Sequence, residues 1–110
     1  MDNYYYILDE NLEPVACDDS LVWGEWFESA DRHLAKTTIE GIDVSTVFLG
    51  LNHDFLGEGP PILWETMIFG KKEGTPLFDD YQERYASFDE ARAGHEQAVA
   101  LVKDSLNIGD

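Results

Sequence analysis

Within residues 49–66, LGLNHDFLGEGPPILWET, the candidates for chemistry are His53, Asp54 and Glu65. Histidine is the side chain that ordinarily titrates near neutral pH, so it can give or take a proton there. Glu65 falls inside an apolar run, on the strand face that also carries Leu63, Met67 and Phe69. Partial burial on such a face disfavours a charged carboxylate and suits it to general acid or base work. His53, Asp54 and Glu65 together could bind a small molecule or a divalent metal at the 50–61 loop. Each also has a structural use. Asp and Asn in turns accept backbone N–H bonds, and a buried Glu can fix the path of a glycine-rich loop. No H-E-x-x-H, G-x-S-x-G or phosphate-cradling motif accompanies them, so no catalytic residue, cofactor or metal is assigned and the reading leans away from an enzyme.

Two further residues invite the same question. Cys17 is the single cysteine, which excludes an internal disulfide and a cysteine-cluster zinc site. Acids follow it and no base is near in sequence, so little favours a reactive thiolate. His95 lies on an apolar helical stripe beside Gly94 and reads as a core histidine with its hydrogen bonds met. The glycine marks a close approach of another backbone.

The elements that must position these residues follow from periodicity. Tyr4 to Leu8 is a first strand, and Glu13 to Asp18 a connector. A helix begins at Asp18-Asp19-Ser20, where short polar side chains cap free N–H groups. Trp23, Trp26, Phe27, Ala30 and Leu34 continue it as one stripe. Thr37–Ile39 and Ile42–Leu49 form a hairpin turning at Glu40-Gly41. Ile62–Phe69 is apolar on both faces and therefore central. Residues 70–80 are a polar loop, 81–86 a more exposed strand, and Ser87-Phe88-Asp89-Glu90 a capping box. Phe88, Ala91, His95, Ala98, Val99 and Val102 then recur at helical spacing, and residues 107–110 fray. The order β-α-β-β-β-β-α predicts one α+β domain over 1–110: an antiparallel sheet of about five strands with two helices on one face.

Charge narrows the function. The chain holds 23 Asp and Glu against seven Lys and Arg, a net charge of −16 over 110 residues. Residues 1–31 hold nine of those acids and neither Lys nor Arg. Such a field repels nucleic acid and anionic membrane and draws in basic protein surfaces. Lys71-Lys72 is the one adjacent basic pair, too small to track a phosphate backbone. No apolar run is long enough to span a bilayer, and the acidic N-terminus is unlike a signal peptide, so a cytoplasmic setting is expected. Asp18, Asp19, Glu25, Glu28 and Asp31, along the first helix, are the expected interaction surface.

The runs VSTVFLGLNHDF, GPPILWETMIFG and YQERYASFDEARAGHEQAV resemble a family of small uncharacterised proteins encoded in bacteriophage genomes and prophages. Those share an S-T-V-F-L-G-L-x-H-x-F run, an E-T-M-x-F-G strand and a terminal R-Y-x-[ST]-x-x-E-A-x-x-G-H helix. The resemblance covers most of residues 4–102; Leu56-Gly57-Glu58-Gly59 departs from a plainer glycine run. It implies a phage origin and the cytoplasm of a bacterial host, and carries no catalytic residue with it. The expected function is an accessory protein that binds a basic host or phage protein, as an inhibitor of host defence or a decoy for nucleic acid. The alternatives are a ligand or metal site at His53, Asp54 and Glu65, and a structural homo-oligomer.

Overall fold

The computed structural model describes residues 4–54, 59–70 and 81–106. The loop tip at 55–58, the 71–80 stretch with Lys71-Lys72, and the tail at 107–110 lie outside the described residues. Six strands and two helices follow in the order β1 (Tyr6–Leu8), β2 (Pro14–Ala16), α1 (Ser20–Ser29), β3 (His33–Ile39), β4 (Ile42–Phe48), β5 (Trp64–Phe69), β6 (Gln82–Tyr85) and α2 (Phe88–Ser105). The fold is α+β. β3 to β6 form a four-stranded antiparallel meander in chain order, and β1 and β2 a separate two-stranded sheet.

The hairpin β3–β4 turns at Glu40 and Gly41, both at positive φ (48° and 87°). Two left-handed residues between paired Ile39 and Ile42 make the turn whose twist matches that of its strands. Along β4, Ile42, Val44, Thr46 and Phe48 point to one buried face, and across the register Ile68, Thr66 and Trp64 continue it on β5. α2 lies over this face and touches all four strands. Ile39, Ile42, Val44, Ile68, Ala98 and Val102 make one apolar cluster; Phe48, Leu63, Trp64 and Ala91 make a second. α1 contacts β1, and its Trp26 meets Phe48 edge-on with ring centroids 5.9 Å apart, so it adds to the second cluster on the same side as α2.

Two boundaries differ from the sequence reading. The connector after Glu13 contains β2, a three-residue edge strand that opens on Pro14, a residue tolerated at an edge because it offers no N–H. The first helix stops at Ser29 and does not reach Leu34: Ala30 is extended (ψ 141°), and Asp31 Oδ1 accepts from the backbone N–H of His33 at 3.1 Å. That local bond offers the chain an alternative to another helical turn. Residues 33–36, freed from the helix, lengthen β3 to seven residues, with a register irregularity between His33 and Ala35.

Candidate functional site

The described residues of the 49–63 connection are tied together by hydrogen bonds. Leu49 N–H donates to Leu63 O at 2.6 Å and His53 N–H to Ile62 O at 2.9 Å, while Tyr6 N–H reaches Gly50 O and Asn52 N–H reaches Tyr4 O. Gly50 is buried at φ 76°, and a side chain there would crowd the Phe27 ring at 3.3 Å. Its carbonyl also accepts from the Trp23 indole at 3.0 Å. Asn52 Oδ1 accepts from both Asp54 N–H and Ile62 N–H, and Asp54 Oδ2 from Gly59 N–H at 2.9 Å. His53 Nδ1 lies 2.9 Å from Leu51 O. A carbonyl only accepts, so this nitrogen carries the proton.

Glu65 is turned to other partners. The register sets it opposite Val47 on β4 and Arg84 on β6. Its Oε2 accepts from Arg84 Nε at 2.9 Å and from Gln82 Nε2 at 2.8 Å. Glu65 is 8% exposed, so its burial is balanced by a cation and an amide that face it across one strand pair. The structure therefore brings His53 and Asp54 into one loop and pairs Glu65 elsewhere. Among the described residues no three His, Cys, Asp or Glu side chains gather as a metal site. Sequence reasoning missed Arg84 and Gln82, which sit in a strand read only as exposed.

His95 holds the polar centre of the helix–sheet layer. Its Nδ1 is 2.8 Å from Thr46 Oγ1 and its Nε2 2.9 Å from Thr37 Oγ1; Thr46 in turn bonds Thr66 across β4–β5. Burial pushes the His95 pKa down, opposed by the charge of Glu96. The expectation of a core histidine with its hydrogen bonds met describes this arrangement. The close approach at Gly94 is made by a side chain and not by a backbone: a Cβ there would fall 2.2 Å from the Tyr85 hydroxyl. Burial raises the Tyr85 pKa, with Thr66 acting the other way. A recess of about 310 Å³ between Asn11–Glu13 and Ser87–Asp89 had no signal in the sequence.

The N-terminal acids form a surface of another kind. Asp18, Asp19, Glu25, Glu28 and Asp31 are all exposed. Asp19 caps α1, accepting from Leu21 N–H at 2.9 Å and Val22 N–H at 3.3 Å. Asp31 bonds His33, whose backbone and ring bonds hold its carboxyl below the usual range. Among the described residues, Asp18, Glu25 and Glu28 meet no Lys or Arg. Arg32, the first cation in the chain, is spent inward: Nη1 donates to Phe48 O at 3.0 Å and the guanidinium stacks 3.9 Å from the Phe27 ring centre. α1 buries no residue fully, and Leu21 and Val22 stand 78% and 50% exposed among these acids. Cys17, half-buried beside them, directs its thiol to Asp19 O at 3.4 Å.

The described arrangement is thus an α+β domain with a hydrogen-bonded His95–threonine layer under α2 and an outward acidic helix. Comparison with protein-family models, curated proteins and solved structures found no match for the chain.

Proposed function

We propose that this chain is a small acidic accessory protein, of the phage type its motifs resemble, that works by binding a protein with a basic surface through residues 18–31. One observation carries the reading: an exposed apolar pair, Leu21 and Val22, set among Asp18, Asp19, Glu25, Glu28 and Asp31 in a segment without Lys or Arg. An apolar centre with a charged rim is the composition of a protein interface. A single sign of charge selects partners of the opposite sign and speeds their encounter. Proteins that hold nucleic acid present such basic surfaces: restriction or CRISPR components, polymerases and nucleoid proteins. Occupying one of them would compete with its phosphate ligand and inhibit it.

The test is capture from bacterial lysate by the tagged chain at low and high salt, run beside the double variant Glu25→Lys, Glu28→Lys and the variant Glu65→Gln. The expected result is a basic protein that is retained at low salt, released by high salt, lost with the double variant and kept with Glu65→Gln. Capture that ignores salt, or that depends on Glu65 and not on Glu25 and Glu28, would overturn the reading.

A further inference from the structure

α1 specifies the shape of its partner more narrowly than charge does. Exposed Leu21, Glu25 and Glu28 and half-buried Gly24 stand at i, i+4, i+7 and i+3 and so share one stripe, opposite the half-buried Trp23, Trp26 and Phe27. Gly24 sits mid-helix, where glycine weakens the helix and leaves its backbone bare. A Cβ built on Gly24 would meet nothing within 4 Å. Among the described residues, no contact therefore asks for a glycine at this position, whereas at Gly94 the Tyr85 ring fills the space. A helical glycine with open space beside it gives what a second helix needs to bring its backbone close.

We infer that α1 is the docking face for an amphipathic α-helix with basic flanks. Its apolar ridge rests on Leu21, its backbone crosses at Gly24, and its Lys and Arg face Glu25 and Glu28 on the same stripe. The inference rests on the proposed function and names the recognition element. Charge decides the occupant: a second copy of this chain, nucleic acid or an anionic membrane would bring more negative charge to a chain of −16. The ten residues of α1 match about three turns of a partner helix.

The test titrates the full chain with a synthetic leucine–lysine peptide of about five turns, its leucines on one helical face. The control peptide has the same composition, scrambled so that no face forms. Calorimetry in about 0.15 M salt is expected to show at least about tenfold tighter binding of the amphipathic peptide. Gly24→Gln is expected to weaken that binding about tenfold without lowering the thermal midpoint, since glutamine is a better helix former than glycine. Glu96→Gln, on α2, is expected to change nothing. Equal binding of the two peptides, or unchanged binding by Gly24→Gln, would overturn the helix inference while leaving the charge-based reading standing. If neither peptide binds and lysate capture yields no basic protein, both fall.

Discussion

α1 and α2 each carry an interior glycine, and the two glycines have opposite surroundings. Gly94 is buried on α2, where the Tyr85 hydroxyl and ring lie 2.2 to 2.4 Å from any Cβ it could carry. Gly24 on α1 has open space. The helices differ in the same way throughout. α2 runs 18 residues, is capped by Ser87 and buries Ala91, Gly94, His95, Ala98 and Val102 against the sheet. α1 runs ten, is capped by Asp19 and buries none of its residues fully. A helix gains most of its stability from the apolar face it buries. By that measure α2 is built for the interior of this chain, and α1 keeps apolar side chains, Leu21 and Val22, that the described residues leave exposed.

Adding one methyl group at each glycine tests the contrast most sharply. Gly94→Ala drives a Cβ into Tyr85 in a closed layer, and is expected to cost about 2–3 kcal/mol, the upper part of the range for overpacking. Urea unfolding of the variant measures the cost, and Tyr85→Ala in the same chain is expected to recover part of it. A Gly94→Ala chain as stable as the parent would mean that Tyr85 swings aside freely and that α2 is not seated on it.

The elements with the strongest internal demands were the ones readable from sequence. The Phe88–Val102 stripe and the Ser87 cap located α2, and Ser87 Oγ does accept from Glu90 N–H at 3.1 Å. The two-faced apolar character of residues 62–69 marked β5 as central, and it lies between β4 and β6. The spacing of Trp23, Trp26 and Phe27 located α1 but continued past its true end, because Leu34 falls in phase with a helix that the Asp31–His33 bond has already closed. Glu65 shows why site chemistry was less legible. Its residue type suggested a general base, but its role depends on Arg84 and Gln82, 19 and 17 residues away, which only the β5–β6 register brings within reach, Arg84 directly opposite and Gln82 diagonally. Likewise His95 stood out alone, while its partners Thr37 and Thr46 looked like ordinary strand residues.

The buried polar layer under α2 gives the next test, one that α1 has no counterpart for. Burial lowers the His95 pKa, so the folded chain resists a proton that the unfolded chain accepts near the ordinary histidine value of 6.5. As pH falls below about 6.5, the unfolded state takes up more protons and the contribution of neutral His95 to stability is lost; above that value it is fully present. Stability also depends on pH through the rest of the chain, so the clean measure is a difference. The stability of the parent minus that of His95→Asn is expected to be level near neutral pH and to fall on acidification. Parallel curves would mean that the ring is charged in the folded chain and that its bonds to Thr37 and Thr46 survive protonation.

The smallest expected effects lie on α1, and their smallness is what distinguishes a platform from a core. Gly24→Ala is expected to stabilise the free chain by about 0.5–1 kcal/mol, the helix-propensity difference, since the new methyl group meets nothing. Leu21→Ser is expected to change stability by less than about 0.5 kcal/mol, as for other surface positions, although leucine is large and apolar. Thermal unfolding of both variants measures these shifts. If Leu21→Ser costs as much as a core truncation, the 78% exposed side chain is covered within the chain, and α1 has no apolar edge left for a partner. If Gly24→Ala destabilises, the space beside it is filled and the two helices are alike. A stabilised Gly24→Ala together with an indifferent Leu21→Ser would mean that α1 retains residues its own fold does not need, the property expected of a surface whose demands come from a second molecule.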